Sequence, residues 1–294
     1  MLLVTGANGR LAQATIRELR TIAGGAAIAV TTRDPDAPAA ARLALEGVEV
    51  RRADFADPES LPAAFAGVRK ALVISTMAPN DVRFRLHANA IDAARAAGVE
   101  HVVYTSMLGA SAEAITEHSR LVHHPTEEHL KASGLDWTVL RHSLYAETLL
   151  DDLDRTLATG LLRRPGGERA AAYIARNDLG RSAATVLAND DHAGRVYSET
   201  MSATLTGAEI AAALSTAAGR QIGYAPMPSA AWPAYFAEVL GQPAEVLTSA
   251  GETMRALEAG EVDVVTEDSA AITGRAPTTL AEFLAAHPAF AAPR

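Results

Sequence analysis

Short apolar runs alternate along the first half of the chain with longer stretches whose apolar positions recur at helical spacing. Runs at residues 1–5, 27–32, 48–52, 71–75, 101–105 and 137–141 read as strands; the stretches at 10–22, 38–45, 58–65, 82–97 and 126–132 read as helices. Gly98 and Gly134 stand where helix C-caps belong. Strand and helix repeated in this order spell an α/β fold, a doubly wound parallel sheet with crossover helices. Beyond Arg141 the rhythm changes. A Pro165-Gly166-Gly167 turn separates extended pieces at 161–164 and 170–175, and further extended pieces fall at 195–198 and 221–224 among helices at 179–187, 207–218, 232–240 and 244–257. Residues 1–145 are thus expected to form the sheet domain and 146–294 a smaller C-terminal α/β cap, with about 170–190 returning to the sheet domain. No repeat or low-complexity linker divides the halves, so the cap should pack on the sheet with a ligand in the crevice between them.

The sharpest motif is Thr5-Gly6-Ala7-Asn8-Gly9-Arg10-Leu11-Ala12, directly after a strand and directly before a helix. In that context Gly6 permits a tight turn, Gly9 lets a pyrophosphate approach the backbone, and the helix N-terminus offers free N–H groups. The pattern is G-x-x-G-x-x-A, with Ala12 where a third glycine would ease helix packing. Gly6, Asn8, Gly9, Arg10 and Leu11 are therefore candidate dinucleotide-binding residues. The second strand ends Thr31-Thr32-Arg33, with a guanidinium where an acid would hold a ribose 2′-hydroxyl. Arg33, with Arg10 nearby, can fork onto a 2′-phosphate, so NADP(H) is expected to be preferred over NAD(H). Asp54 and Phe55, after the third strand, are placed to flank the adenine, with a helix cap ahead of Pro58 as the alternative for Asp54.

Composition narrows the chemistry. The chain has no cysteine, which removes disulfides, thiolate metal sites and a cysteine nucleophile. Its formal net charge is −9, with Lys70 and Lys131 the only lysines, which argues against nucleic acid as a partner. No apolar run approaches the roughly 18 residues of a membrane span. A cytoplasmic protein with a small-molecule partner is expected, and a homo-oligomer is compatible with the sequence. Four histidines between His118 and His129 lack the H-E-x-x-H spacing, so no metal site is expected.

Several segments together resemble a known family. They are the glycine loop, Thr32-Arg33-Asp34-Pro35, Arg52-Ala53-Asp54-Phe55, Ala97-Gly98-Val99-Glu100-His101 and Tyr104-Thr105-Ser106, followed by His123-x-x-Thr126-Glu127-x-x-Leu130 and Ser133-Gly134-x-x-x-Thr138-x-Leu140-Arg141-x-x-x-Tyr145. The chain resembles the NmrA-like atypical short-chain dehydrogenases, most closely their type-2 NAD(P)H:quinone oxidoreductase and triphenylmethane reductase branch. The resemblance implies a Rossmann domain with a small C-terminal domain, NADPH in the cleft, and two-electron reduction of quinones or conjugated dyes. It departs at Ala12 and at Thr148, where an asparagine is common in the family.

Ordinary short-chain dehydrogenases pair a tyrosine with a lysine four residues on, and no tyrosine here has that partner. Hydride transfer to a quinone or dye needs mainly positioning. Ligands in this architecture sit at strand C-terminal ends, which singles out Ser75, Thr76, Thr105, Leu140 and Arg141 as cofactor contacts. Ser106, His123 and Tyr145 are the catalytic candidates. Each has a bland alternative: a strand-end cap for Ser106, a capped or surface histidine for His123, core packing for Tyr145. Trp232, Tyr235 and Phe236 fall at near-helical spacing and read as cap core before substrate wall. The expected function is an NADPH-dependent reductase of a quinone-like or other conjugated acceptor. The alternatives are an NADP(H)-binding redox sensor without turnover, or a reductase of a biosynthetic carbonyl or imine intermediate.

Overall fold

Side chains alternate across a strand, and that alternation sorts the central sheet into two cores. The computed structural model describes residues 1–241 and 248–290. Its main sheet is built from β1 (Leu2–Val4), β2 (Ile28–Thr32), β3 (Glu49–Arg52), β4 (Lys70–Val73), β5 (His101–Met107) and β6 (Asp136–His142). A later strand, β10 (Arg195–Glu199), joins beside β6 to give the all-parallel order β10-β6-β5-β4-β1-β2-β3. Leu2, Val4, Val30, Leu72, Val103 and Leu140 point to one face, where Ile16 and Leu19 of α1 (Arg10–Ile22) and Ala183 and Leu187 of α7 (Arg176–Ala188) cover them. Leu3, Ala29, Val73, Val102, Tyr104 and Val139 point to the other. There they meet α3 (Leu61–Phe65), α4 (Asn80–Ala96) and α5 (His124–Ala132). Strands buried on both faces explain the near-continuous apolar runs in the sequence.

The missing third glycine is compensated on α7. A Cβ on Gly180 would lie 2.7 Å from the Ala14 Cβ and 2.8–2.9 Å from the backbone of residues 14 and 15. Small residues on both helices let α1 and α7 touch, while Ala12 is fully buried without strain.

After β6 the chain builds a second core around Leu144, Leu162, Tyr173, Ile210, Leu214 and Trp232. It is framed by β7 (Leu144–Tyr145), α6 (Leu153–Thr159), β8 (Leu161–Arg164), β9 (Ala170–Ile174) and β11 (Thr204–Thr206). The frame continues with α8 (Gly207–Ala218), β12 (Gly223–Pro226), α9 (Trp232–Leu240), α10 (Thr248–Ala259), α11 (Asp268–Thr273) and α12 (Leu280–Ala285). Strands β11, β9 and β7 form one small sheet, and β12 with β8 another. Thr206 and Glu209 close a reciprocal capping box at the start of α8. Between these cap elements the chain crosses back, so that α7 packs on α1 and β10 pairs with β6, Tyr197 opposite Leu140.

Two sequence expectations shift. The helix expected at 126–132 starts earlier, as a π-helical turn at His118–His123 that runs into α5. Pro125 has no N–H for an ordinary helical bond, and the wider turn precedes it. The helix expected at 244–257 runs over Thr248–Ala259, and residues 244–247 lie outside the described residues.

Candidate active site and cofactor cleft

The glycine loop is tied to the end of β2. Gly6 turns with φ +74°, a conformation open to glycine without steric cost. The Ala7 N–H donates to the Thr31 carbonyl and the Gly9 N–H to the Gly6 carbonyl, both at 2.8 Å. The Asn8 amide donates to Thr32 Oγ1 at 2.9 Å. Gly9 is the N-cap of α1 with an extended backbone, and no side chain caps that helix. Its first-turn N–H groups are left for a ligand, at the positive end of the helix dipole. Gly6, Asn8, Gly9 and Arg10 are exposed, whereas Leu11 is buried beneath them against Ile174 and Leu179.

Arg33 is exposed at the end of β2 and, like Arg10, makes no hydrogen bond or ion pair among the described residues. Neighbouring Asp34 turns its carboxylate to the Asp36 N–H at 3.1 Å instead. Asp54 accepts the Ala56 N–H at 2.9 Å in a turn of its own, beside a half-buried Phe55. Beyond β4, the Ser75 N–H donates to Thr105 Oγ1 at 2.9 Å and the Thr76 N–H to His87 Nε2 at 3.0 Å, which fixes the path of that loop.

A cavity of about 410 Å³ opens at the carboxyl ends of β4, β5 and β6. Ser75, Thr105 and Ser106 form its sheet side, His118 and His123 the π-helical side, and Trp232, Phe236 and Met254 the cap side. Trp232 and Phe236 stack with ring centroids 5.0 Å apart, so they serve as both cap core and cavity wall. Tyr235 belongs elsewhere, its hydroxyl on Asp152. Ile74 and Tyr145 line the cavity and also pack against the small cluster of Leu11, Ile174 and Leu179, joining the glycine loop to the pocket.

Three polar networks reach the wall. In the first, the Thr76 N–H on Nε2 makes His87 protonated at Nδ1, where it meets the Tyr104 hydroxyl at 3.2 Å. That hydroxyl also shares a hydrogen bond with His123 Nδ1 at 3.0 Å. Burial, reinforced by Arg83 and the neighbouring histidines, holds the His123 pKa well below the ordinary histidine value. His123 is therefore a buried, neutral imidazole at the cavity wall. It is not a surface residue.

In the second, Ser106 Oγ donates to Glu127 Oε1 at 2.6 Å. Glu127 is fully buried and also receives a fork from Arg141 at 2.9 and 2.6 Å. With its proton committed, Ser106 presents lone pairs to a ligand. Arg141 is thus held by a carboxylate, and Leu140 is fully enclosed between sheet and helices with no surface to offer. Strand alternation thus sends the Leu140 side chain into the core, and Glu127 engages the Arg141 guanidinium, whose side chain keeps part of its surface.

In the third, the Tyr145 hydroxyl lies 3.2 Å from His142 Nδ1, and His142 Nε2 lies 3.4 Å from the fully buried Glu199 carboxylate. Burial pushes the Tyr145 phenol up to about 12, against the Arg176 charge over its ring. Tyr145 stays protonated, and behind it His142 Nε2 and the Glu199 carboxylate lie near each other without a hydrogen bond between them. Glu127 stands in the segment that carries the family resemblance, but its role as partner of Ser106 and Arg141 is not legible there; no motif singles out His142 or Glu199, since these partners are distant along the chain or displaced by one strand register. Of the histidines of 118–129, His118 and His123 neighbour each other on the cavity wall with ring centroids 6.2 Å apart, His118 pairing with Glu252 and His123 with Tyr104, while His129 pairs with Asp92 outside it.

An open parallel sheet with a glycine turn after its first strand and a deep cavity at its carboxyl edge defines a Rossmann-type dinucleotide-binding protein. The comparisons narrow the class. The chain belongs to the NmrA-like family, which it matches over residues 1–284. It is 34% identical over 224 residues to quinone oxidoreductase 2 of Escherichia coli (strain K12), 76% of this chain and 77% of that protein. It is 31% identical over 294 residues to the NAD(P)H azoreductase of Xenophilus azovorans, covering 98% of each. Among solved structures, the Citrobacter sp. triphenylmethane reductase complexed with NADP(H) superposes with a TM-score of 0.88 at 30% identity, over 96% of this chain and 98% of that one.

Proposed function

We propose that this protein is an NADPH-dependent reductase that transfers a hydride to a quinone-like or other conjugated small-molecule acceptor. The observation that carries the reading is the cluster of Leu11, Ile174 and Leu179, through which the glycine loop adjoins Ile74 and Tyr145 of the cavity wall. The residues fit the cofactor: an uncapped helix N-terminus for a pyrophosphate, Arg33 and Arg10, unpaired among the described residues, for a 2′-phosphate, and an adjoining pocket for a flat acceptor. When bound, the dihydronicotinamide supplies the hydride. Gly6, Asn8 and Gly9 hold the loop that receives it, and the hydroxyls of Thr105 and Ser106 edge the cavity. The Trp232–Phe236 wall excludes water and packs a conjugated ring. A quinone that takes a hydride needs one further proton to become a hydroquinone; Tyr145 is the group on the wall that can donate it, re-protonated through His142. The test is NADPH oxidation against a panel of quinones, dyes, enones and imines. Tight NADPH binding without turnover of any of them would instead make the chain a redox sensor.

Two outcomes follow for single residues. NADPH should bind roughly ten- to a hundredfold tighter than NADH, the range of one charge-assisted contact, and Arg33→Ala should bring the ratio close to unity in a calorimetric titration. An unchanged ratio would move the role to Arg10. Tyr145→Phe should retain measurable turnover of an electron-poor quinone, with kcat reduced by less than about 10²-fold because solvent can supply the proton. Complete loss, with NADPH binding intact, would show an obligatory relay and point to a carbonyl or imine substrate.

A further inference from the structure

Arg164 ends β8 inside the cap, and its guanidinium forms part of the cavity wall. Only 4% of the residue is exposed. Its Nη1 donates to the Thr148 carbonyl at 3.0 Å, and Cζ stands 5.4 Å from the Trp232 ring centroid. No carboxylate among the described residues pairs with it; Asp151 feels its charge but forms no ion pair. The remaining guanidinium nitrogens are not sealed in protein, in contrast to the orphaned Nε of Arg83 and of Arg181. A second guanidinium, Arg83 on α4, borders the same cavity at 5% exposure, hydrogen-bonded to Ser75 Oγ at 3.1 Å; it feels the charge of Glu252 but forms no ion pair among the described residues. Two buried cations therefore face one largely apolar cavity. Burying an unpaired charge is unfavourable, and a guanidinium with open N–H groups is shaped for a planar or tetrahedral oxyanion.

We infer that the acceptor reduced in this cavity carries an anionic group, a carboxylate, sulfonate or phosphate on its conjugated ring, which docks on Arg164 while the ring lies against Trp232 and Phe236. The inference rests on the reductase reading and names the substrate class for it. Arg164 is the anchor, since Arg83 is already engaged with Ser75 and its Nε is enclosed.

The experiment has a turnover arm and a binding arm. In the first, kcat/KM is measured for 1,4-naphthoquinone-2-sulfonate and for neutral 1,4-naphthoquinone in the parent, Arg164→Met and Arg164→Lys proteins. Methionine keeps a flexible stem over Trp232, and lysine keeps the charge without the fork. The ratio of sulfonated to neutral acceptor should fall at least tenfold in Arg164→Met, through KM for the sulfonate, and only partly in Arg164→Lys. In the second arm, naphthalene-2-sulfonate and the neutral 2-naphthalenemethanol are titrated calorimetrically into the protein with NADP⁺ present. The sulfonate should bind the parent at least tenfold tighter than the alcohol, and the gap should close in Arg164→Met. Equal binding of the two by the parent protein overturns the inference without recourse to any variant. So does a turnover ratio unmoved by Arg164→Met, with the reductase reading left standing. No turnover of either quinone or of any dye, enone or imine of the panel, beside an intact calorimetric preference, removes the reductase reading and leaves the anion site.

Discussion

Gly9→Val is expected to raise the Kd for NADPH at least a hundredfold while leaving the protein folded. The Gly9 backbone is extended, φ −78° and ψ 145°, so a side chain meets no dihedral penalty there. A Cβ would lie 3.2 Å from the Gly6 carbonyl oxygen, a contact that an exposed loop can relax by a few tenths of an ångström. Replacing a glycine N-cap with valine costs about 1 kcal/mol, or a few degrees in Tm for a chain of this size. The larger effect falls on the ligand. Branched methyls at the mouth of α1 stand where a pyrophosphate must reach the uncapped N–H groups, and no other part of the loop can substitute for them. Calorimetric titration and a thermal melt on the same sample separate the two effects. Micromolar binding retained by a folded Gly9→Val protein would place the cofactor elsewhere.

How much of this was legible in the sequence depends on how far apart the cooperating residues lie. The sheet was readable because each strand is a local apolar run and each crossover helix has a local period; β1 to β6 appear within a few residues of the expected positions. The glycine loop was readable for the same reason, since Gly6, Gly9 and the start of α1 are contiguous. The cap elements β7 and β11 span only two and three residues, too few for a period to show. The cavity wall was least legible. His142 and Arg141 are neighbours in β6, yet the pleat sends one toward Tyr145 and Glu199 and the other to Glu127. A one-residue change of register would exchange these roles. Spacing along the chain gives no hint that Arg164 and Arg83 border one pocket.

Arg141→Met is expected to cost about 3 kcal/mol of stability, and to do so without a matching loss of cofactor affinity. Glu127 has no exposed side-chain surface, and Arg141 supplies two of its hydrogen bonds in a bidentate fork. Removing the guanidinium leaves a buried carboxylate with Ser106 and a more distant Lys131 at 3.7 Å. The estimate sits at the low end of the range for broken buried pairs because Lys131 can move closer. A carboxylate stranded in a low-dielectric core is the dominant cost, so removing it as well should restore much of the loss. The double variant Glu127→Leu/Arg141→Met is accordingly expected to be clearly more stable than Arg141→Met alone, with a coupling of at least about 1.5 kcal/mol in a double-mutant cycle by urea unfolding. NADPH titrations of the same proteins decide between the two roles of the guanidinium. An Arg141→Met protein of unchanged stability with a tenfold weaker Kd for NADPH would return Arg141 to the cofactor. The expected pattern, lost stability with near-parental affinity, makes it the counter-ion that holds Glu127, and through Glu127 the Ser106 hydroxyl, in place at the cavity wall.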